Sequence, residues 1–395
     1  MSTTTTTRRR RRSERLKRRY EDNEYEKEER KESYEDSIEF VTYNVLSSSL
    51  CSPGYYTKCS PDDLNPDTRL RRAYEKLTPH VRQGAVIGLQ EISLTWSTRM
   101  RLWFRERGYE YIVSNYGNRY NDYMGVGLAF PIDRFDLSDV KVACPMNEPK
   151  WARPPKHDTG GSWLRTAASA LVLYPLWGPV VEKVKQIDWC NRKKTRSREA
   201  AKNPLEQCKR RFNRIVGVKL SDKRTGVSFA VCVYHMPCVF WDQAMMTIHA
   251  ALMAQSAQTF AEDLPLILMG DFNFGPDSDP YRLLLGDRPD TIVQPPIPEY
   301  ESWRPRPLRS FRSAYVDVEG REPSYTNYTH SGKPPMTFRG TLDYILYDDG
   351  ASADGKWRPI DVVDLPEFDP STTELMPNRY EPSDHLLIGA SFRLM

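Results

Sequence analysis

The chain has 395 residues, of which 39% are hydrophobic and 28% charged, and its net charge is +4. No apolar run reaches the roughly 18 residues that span a bilayer, so the composition argues against a membrane protein and allows one large domain or two average ones. The seven cysteines are odd in number and form no CxxC pair, which favours reduced thiols in a cytosolic or nuclear protein.

The positive charge is concentrated in two segments, and the rest of the chain is acidic. Residues 1–20 carry a balance of +8 and residues 183–214 a balance of +9, which leaves −13 for the remainder. Residues 1–37 contain almost no aliphatic side chains, so they cannot offset their ordering entropy by burial and are predicted to form a disordered tail. The arginine run in this tail is either a nuclear localisation signal or nucleic-acid tether, or a solvated segment without a role.

Short apolar strands alternate with helical stretches from residue 38 onward. The predicted strands, in chain order, are Glu39–Leu46, Ala85–Gln90, Gly125–Phe130, Ala168–Tyr174, Ile215–Leu220, Val227–Tyr234, Leu266–Met269, Thr341–Tyr347 and Leu386–Phe392. Apolar residues at helical spacing predict one helix after Asp67, its expected N-cap, and a second around Ile248. His249 in the second helix is expected to be half-buried and hydrogen-bonded. The alternation predicts one α/β domain over residues 38–395.

Two segments interrupt this pattern and are interpreted as surface insertions. They are the basic stretch of residues 183–214 and a Pro- and Arg-rich stretch over residues 289–309. In the basic stretch, Arg192, Lys193 and Lys194 are candidate contacts for a nucleic-acid backbone, because Lys and Arg bind backbone phosphates. A solvated loop without a role is the alternative interpretation.

Polar residues stand where several predicted strands end. VTYN ends on Asn44, VIGLQE on Glu91, VCVYH on His235, and LILMGDFN on Asp271 and Asn273. Open α/β sheets build ligand sites just beyond their strand ends, so these side chains are expected to meet. If the chain is extended after the last of these strands, its two polar residues project from the same face.

These residue types suit the cleavage of phosphoesters. Carboxylate and amide oxygens, such as those of Glu91 and Asn44, are ligands that Mg²⁺ or Mn²⁺ prefers, and such an ion polarises a phosphoryl oxygen. An Asp paired with a His fixes the tautomer of that His, and Asp343 and His385 are available for such a pair. His235 can donate to a phosphate oxygen as charge develops. Each residue alone also fits a turn or an exposed strand end, so the prediction depends on their joint order.

Six blocks of the sequence resemble, in order, the signature blocks of the endonuclease/exonuclease/phosphatase superfamily: TYNVL, LQEIS, YHMP, LMGDFNFGPDS, TLDYILY and PSDH. The segments CSPDDLNPDTRLRR and SAYVDVEGREPSYTNYTHSG resemble its deadenylase and nocturnin branch. The resemblance spans about residues 38–395. It implies a four-layer α/β sandwich in which two packed mixed sheets are flanked by helices.

The resemblance also implies roles for the site residues. The ligands of Mg²⁺ or Mn²⁺ would be Glu91, Asn44 and Asp384. The residues that position water and phosphate or move protons would be Asp271, Asn273, His235, Asp343 and His385. Phe274 stands where the branch usually has a small residue, and its ring is a candidate for stacking on a nucleobase or for core packing.

Three classes of function remain after this comparison. The leading prediction is metal-dependent hydrolysis of RNA, as a 3′-exonuclease with an adenosine preference. The alternative is a phosphatase acting on a small phosphorylated nucleotide or metabolite, which the acidic body favours. A binding module with an inactive site is disfavoured because every block is intact. No membrane partner is expected, and the sequence identifies no protein partner.

Overall fold

The computed structural model describes residues 37–152, 203–287, 289–332, 337–351 and 356–394. The strands of this part are β1 (Ile38–Asn44), β2 (Val86–Ile92), β3 (Tyr109–Asn115), β4 (Gly125–Pro131), β5 (Phe135–Ala143), β6 (Ile215–Asp222), β7 (Ser228–His235), β8 (Leu266–Asp271), β9 (Arg312–Ser313), β10 (Asn327–His330), β11 (Thr337–Gly340), β12 (Asp343–Asp348), β13 (Trp357–Val362) and β14 (Ile388–Leu394). The α-helices are α1 (Pro61–Leu64), α2 (Pro66–Gln83), α3 (Leu94–Arg105), α4 (Pro204–Cys208), α5 (Gln243–Ala261), α6 (Asp279–Leu285) and α7 (Ala314–Glu319).

Two mixed six-stranded sheets form the centre of the fold. Their strand orders are β13-β14-β1-β2-β4-β3 and β5-β6-β7-β8-β12-β9, and β10 with β11 forms a separate hairpin. Each large sheet contains one parallel pair, β1 with β2 and β7 with β8, and its other neighbours are antiparallel. The carboxyl ends of the two parallel pairs are the places where polar residues follow apolar strands.

The two sheets pack face to face, and helices cover their outer faces. Alternation along β1 places Phe40 between the sheets and Val41 on the outer face. The inner layer joins Phe40 and Val86 of the first sheet to Val231 and Ile267 of the second, and each such buried side chain contributes roughly 1.5–3 kcal/mol. The outer face of the first sheet packs against α2 and α3, and that of the second packs against α5 and α6. The predicted four-layer sandwich is therefore confirmed.

Helix α2 forms where the apolar stripe predicts it, but it begins two residues earlier. Its N-cap is Asn65, whose side chain accepts hydrogen bonds from the backbone N–H groups of Asp67 and Thr68. The prediction of Asp67 as N-cap was wrong because the proline at residue 66 already occupies the first turn, a position that proline favours. Gly84 ends the helix in the left-handed conformation.

Helix α5 is buried on nearly all sides, which changes the environment of His249. This side chain has no exposed surface, and neither of its ring nitrogens has a hydrogen-bond partner in the described part of the chain. Burial lowers the pKa of His249 to about 3. The expectation of a half-buried, hydrogen-bonded histidine was therefore wrong, because α5 lies inside the core and leaves the ring no exposed surface.

Both predicted insertions pack against α5 where they are described. In the Pro- and Arg-rich stretch, Gln255 and Gln258 of α5 donate to the backbone carbonyls of Arg306 and Arg309. The end of the basic stretch forms α4, which buries Leu205 in the same core cluster as α5. These segments therefore cover the helix on the outer face of the second sheet.

Several predictions concern residues outside the described part. They are the tail except for Ser37, the strand Ala168–Tyr174, and the basic stretch up to residue 202. Among the described residues, no helix has the length and apolar character that crossing a membrane requires.

Candidate active site

Three neighbouring strands of the second sheet carry a polar residue at one edge. His235 ends β7 and pairs with Asp271, which ends β8, and Asp271 in turn pairs with Asp343, which begins the antiparallel strand β12. In the first sheet, Asn44 ends β1 beside β2, near whose end Glu91 lies. The Asn44 Nδ2 donates to Asp271 Oδ2 over 2.9 Å. This hydrogen bond joins the edges of the two sheets and brings the strand ends into one site.

Asp343 and His385 form a buried hydrogen-bonded pair. His385 Nδ1 lies 2.7 Å from Asp343 Oδ2, which also accepts a 2.6 Å hydrogen bond from the Thr326 hydroxyl. That hydroxyl accepts from the backbone N–H groups of Leu342 and Asp343. The carboxylate is thus fixed by its own strand, and it fixes the orientation of the imidazole, leaving Nε2 to face the centre of the site.

The environment of His385 favours its charged form. Burial alone would lower the pKa of this imidazole, but the carboxylates of Asp343 and Asp271 outweigh burial and raise the pKa well above 6.5. His385 Nε2 lies 3.7 Å from Asp271 Oδ2. The ligand atoms of these three residues all lie within 4.8 Å of one another, but the short bond at Nδ1 makes the group a carboxylate–imidazolium–carboxylate arrangement. Both ring nitrogens of such an imidazolium are donors.

Asp271 lies at the centre of the site. Its Oδ2 accepts from Asn44 Nδ2 and lies 3.6 Å from His235 Nε2. Its Oδ1 accepts a 2.9 Å hydrogen bond from the backbone N–H of Asn273. Burial raises the pKa of Asp271 to about 6, although the charge of His385 opposes this. A carboxyl group with a pKa this close to neutrality is suited to taking a proton from a bound water.

Glu91 is held in an uncommon backbone conformation at the end of β2. Its φ is 56°, a left-handed value that persists in a long side chain only where the surroundings enforce it. Its carboxylate accepts from the backbone N–H of Ser47 over 3.2 Å and from Asn44 Nδ2 over 3.3 Å. Burial raises the pKa of Glu91, and the charge of Asp384 raises it further. Asp384 itself accepts from the Tyr56 hydroxyl over 2.9 Å.

The donor set around Glu91 fits a divalent metal ion. Carboxylate oxygens are hard ligands, and a cation near Glu91 and Asp384 would offset the charge repulsion that raises the pKa of Glu91. The Asn44 amide oxygen accepts from the backbone N–H of Leu46 over 2.9 Å. In this arrangement Asn44 holds Glu91 and Asp271 together with its nitrogen, and its role as a metal ligand stays a prediction.

His235 is oriented by two residues from neighbouring loops. Its Nδ1 lies 3.0 Å from the Tyr116 hydroxyl, and its backbone carbonyl accepts from Asn213 Nδ2 over 2.9 Å. Burial lowers the pKa of His235 below 6.5, so the imidazole is neutral at pH 7. A neutral imidazole that accepts the Tyr116 proton at Nδ1 carries its own proton on Nε2. That atom faces Asp271 and Glu91, at 3.6 and 3.9 Å.

The turn after β8 departs from the predicted extended conformation. Asn273 has a φ of 53°, so it does not project from the same face as Asp271, and its Nδ2 donates to the Met236 carbonyl over 2.9 Å. Gly270 has a φ of 147°, and a Cβ there would lie 1.9 Å from the Tyr234 carbonyl oxygen. Only glycine therefore allows β8 to approach β7 this closely before Asp271.

A buried arginine holds two of the loops that carry site residues. Arg69 of α2 donates to the Val45 and Leu46 carbonyls, which follow Asn44, and to the Pro382 carbonyl, two residues before Asp384. The guanidinium is fully buried. It therefore fixes the positions of the loop after β1 and of the PSDH block relative to each other.

The structure brings most of the predicted site residues together. They are Asn44, Glu91, His235, Asp271, Asn273, Asp343, Asp384 and His385. The sequence analysis missed the residues that orient them: Ser47, Tyr56, Arg69, Tyr116, Asn213 and Thr326. Two of them had an available signal, since Arg69 belongs to the CSPDDLNPDTRLRR segment and Thr326 to the SYTNYT segment.

The predicted substrate contacts are not among the residues that the structure brings together. Phe274 is 3% exposed, and its ring packs against that of Tyr344 in the core. A ring without an exposed face cannot stack on a base, so the prediction of a substrate contact at Phe274 was wrong. Arg192, Lys193 and Lys194 lie outside the described residues.

The α/β sandwich and the residues at its strand ends are those of a phosphoester hydrolase. The comparisons with known proteins agree with this class. The family model described as Endonuclease/Exonuclease/phosphatase family matches residues 41–385, so the chain belongs to that family. The carbon catabolite repressor protein 4 homolog 4 of Arabidopsis thaliana is 34% identical over 132 residues, which cover 33% of this chain and 27% of the relative. The protein angel of Drosophila melanogaster is 28% identical over 142 residues, covering 36% and 34%.

Solved structures match almost the whole chain. The human Nocturnin catalytic domain with bound sulfate covers 91% of this chain and 95% of its own, with a TM-score of 0.54 and 17% identity. ANGEL2, described as a 2′,3′-cyclic phosphatase, covers 90% and 95% with a TM-score of 0.60 and 17% identity. These similarities establish the fold. The chain spans only about a quarter to just over a third of the curated relatives it matches.

Proposed function

We propose that this protein is a metal-dependent phosphodiesterase that hydrolyses RNA from the 3′ end. The observation that carries the proposal is the Asn44 amide, whose nitrogen bonds both Glu91 and Asp271. It places a set of oxygen donors directly beside a cluster of two histidines and a carboxylate. Phosphodiester hydrolysis needs both parts within reach of one phosphate.

Glu91 and Asp384 would hold the metal ion, and we propose Mg²⁺ or Mn²⁺ because the donors are oxygen atoms. When bound, such an ion polarises the phosphoryl oxygen and lowers the pKa of a coordinated water. The carboxylates are positioned for this by hydrogen bonds from Ser47 and Tyr56. Their orientation therefore does not depend on the ion.

The remaining residues bind the phosphate and move a proton. His385, charged and oriented by Asp343, donates from Nε2 to one phosphate oxygen, and His235 donates from Nε2 to another. Asp271 orients the attacking water and takes its proton, which its pKa of about 6 permits. The water oxygen forms the new bond to phosphorus as the bond to the 3′ oxygen of the preceding nucleotide breaks, and that oxygen takes up a proton from solvent to leave as a hydroxyl group.

The relatives support RNA as the substrate. A protein of Enterocytozoon bieneusi that is 32% identical over 130 residues is named a probable 3′-5′-exoribonuclease subunit of the CCR4-Not complex. The identity lies in part of the chain, so the preference for RNA and the direction of cleavage belong to this proposal. Cleavage of small phosphorylated nucleotides is the alternative that the experiment must separate.

The test is hydrolysis of labelled single-stranded RNA with a free or a blocked 3′ end, of single-stranded DNA, and of phosphorylated nucleotides. Each substrate is incubated with Mg²⁺ and with EDTA. We expect mononucleotide release from RNA with a free 3′ end, only with Mg²⁺, and much slower release by Glu91→Gln at the same Mg²⁺ concentration. Equal turnover in EDTA contradicts the metal-dependent chemistry, and turnover of small nucleotides alone replaces RNA with the alternative substrate.

A further inference from the structure

Exposed aromatic side chains are concentrated on three loops beside the candidate active site. Eight Tyr, Phe and Trp side chains are largely exposed among the described residues, and five of them lie on these loops. We call these five the aromatic rim: Tyr120, Tyr123, Phe212, Phe240 and Trp241. Single apolar side chains scattered over a surface need no explanation. A group of them on loops that are all attached to one residue, their shared anchor, does.

The shared anchor of the three loops is His235. The loop between β3 and β4 is bonded to its imidazole through the Tyr116 hydroxyl. The loop before β6 is bonded to its backbone carbonyl through Asn213. The third loop follows His235 directly and connects β7 to α5. The three loops that carry the rim are therefore attached to a residue that the proposed mechanism places on the phosphate.

The third loop is held in place by buried side chains and by a hydrogen bond. Met236 and Val239 are buried in the core beneath it, and the Phe240 carbonyl accepts from the Gln243 side chain over 3.0 Å. Above them, the rings of Phe240 and Trp241 contact edge to face at 5.2 Å. Trp241 is 71% exposed, so most of its flat face is open to a ligand.

The charge of the same loops is positive, in contrast to the acidic remainder of the body. Residues 116–124, 209–214 and 236–242 together hold five Lys or Arg and two Asp. Both carboxylates accept from backbone N–H groups, Asp122 from that of Thr95 and Asp242 from that of Met245 at the start of α5. The exposed charge of the loops comes from arginines: Arg119, Arg210 and Arg214.

We propose that the aromatic rim binds the unpaired bases of single-stranded nucleic acid next to the scissile phosphate. Stacking on flat rings suits any base whose face is free, and arginines between the rings suit the backbone phosphates. A duplex hides its base faces, and a mononucleotide offers a single base to a group of five rings. The inference rests on the proposed function and narrows its substrate to a single-stranded polymer.

The test measures binding without turnover, by fluorescence anisotropy of a short single-stranded RNA with the Glu91→Gln protein in EDTA, which removes the metal ion that hydrolysis needs. The rim variant adds Tyr120→Ala, Phe212→Ala and Trp241→Ala to it. We expect the Kd to rise by about fivefold or more for each ring removed. Trp241→Ala alone repeats the test if the triple variant does not fold, as judged by its thermal unfolding midpoint.

A matched control and a second probe isolate stacking. The control variant carries Leu102→Ala, Ile132→Ala and Leu308→Ala, which remove apolar side chains that are 53–59% exposed elsewhere on the surface. It is expected to bind RNA like the Glu91→Gln parent. An abasic oligonucleotide keeps the phosphates but lacks the bases, so the rim substitutions are expected to leave its binding unchanged.

Two results overturn the inference: unchanged RNA binding by the folded rim variant, or an equal loss for the abasic probe. The first would also be the outcome if the rim docked a protein. If wild-type protein hydrolyses RNA while the rim variant binds normally, the rim fails and the proposed function stands. If wild type hydrolyses no RNA but the rim substitutions still weaken its binding, the rim stands and the proposed function fails.

Discussion

The two six-stranded sheets have the same arrangement of parallel and antiparallel neighbours when one is read from β13 and the other from β9. They nevertheless supply different residues to the site. Each has a central parallel pair with an antiparallel neighbour, β14 beside β1 and β12 beside β8. At the carboxyl ends of these pairs, the first sheet places Asn44 and Glu91, and the second places Asp271 and His235. In the proposed mechanism, these equivalent strand ends form a metal-binding half and a phosphate-binding half. Neither half contains all the groups that the proposed reaction needs.

The hydrogen bonds that complete the site cross between the halves. Asn44 of the first sheet bonds Asp271 of the second, and His385, which precedes β14 of the first sheet, bonds Asp343 of the second. The geometry of each half is therefore set by the other. Breaking one cross-sheet bond tests this dependence.

The largest effect is expected from the pair of Asp343 and His385. Because Asp343 acts through His385, Asp343→Asn and His385→Ala should each lower kcat by about a thousandfold or more, and the double variant should lose little beyond the worse single one. Steady-state hydrolysis of RNA in Mg²⁺ measures this. Asp287→Asn, which removes an exposed partner of Arg282, is the control and should keep full activity. Multiplying losses in the double variant would show that the two residues act independently.

A smaller effect is expected from Tyr116, whose hydroxyl contacts His235 in the second half. Tyr116→Phe removes the donor to Nδ1 and with it the bond that selects the tautomer with a proton on Nε2, so kcat should fall by about tenfold. KM for RNA is expected to change little.

The control is Tyr111→Phe, five residues earlier in the chain. It also removes a tyrosine hydroxyl, but this hydroxyl is buried without a hydrogen-bond partner among the described residues. It should leave kcat unchanged. If both variants behave alike, the Tyr116 hydroxyl does not position His235.

The smallest effect is on stability and compares two buried histidines. His385 lies between carboxylates that favour its charged form. His249 has no hydrogen-bond partner among the described residues, and burial lowers its pKa to about 3. Below pH 6.5 the unfolded chain binds a proton at His249 that the folded chain does not. Folding therefore loses about 1.4 kcal/mol for each pH unit between 6.5 and 3. His249→Leu should remove this contribution, and urea unfolding of both proteins at pH 7.5 and pH 5.5 measures it. The same pH dependence in both would mean that His249 is protonated in the fold.

The sequence predicted the elements that have a strong local pattern. The apolar strands that end in Asn44 or Asp271 were found, because a buried strand next to a site is apolar throughout. The edge strands β3, β5, β9 and β13 were missed, and so was the hairpin of β10 and β11. In β5 most side chains are exposed, so neither face carries the alternation that predicts a strand.

The site residues were predictable and their supports were not. Strand ends and family blocks identify Glu91 and His235, but Tyr116 and Asn213 reach His235 from loops that lie up to 119 residues away in sequence. No local pattern reports such contacts. The same holds for the left-handed conformation of Glu91, which its surroundings impose and its residue type disfavours.

The division of the site into two halves is tested most directly by a Mg²⁺ titration of RNA hydrolysis with Glu91→Gln and His235→Gln. Both variants are expected to lose activity, but in different ways. Glu91→Gln should raise the Mg²⁺ concentration for half-maximal rate by about tenfold or more, because a carboxylate ligand is lost. His235→Gln should lower kcat and leave that concentration unchanged. A shift in Mg²⁺ dependence for His235→Gln, or none for Glu91→Gln, would contradict the account.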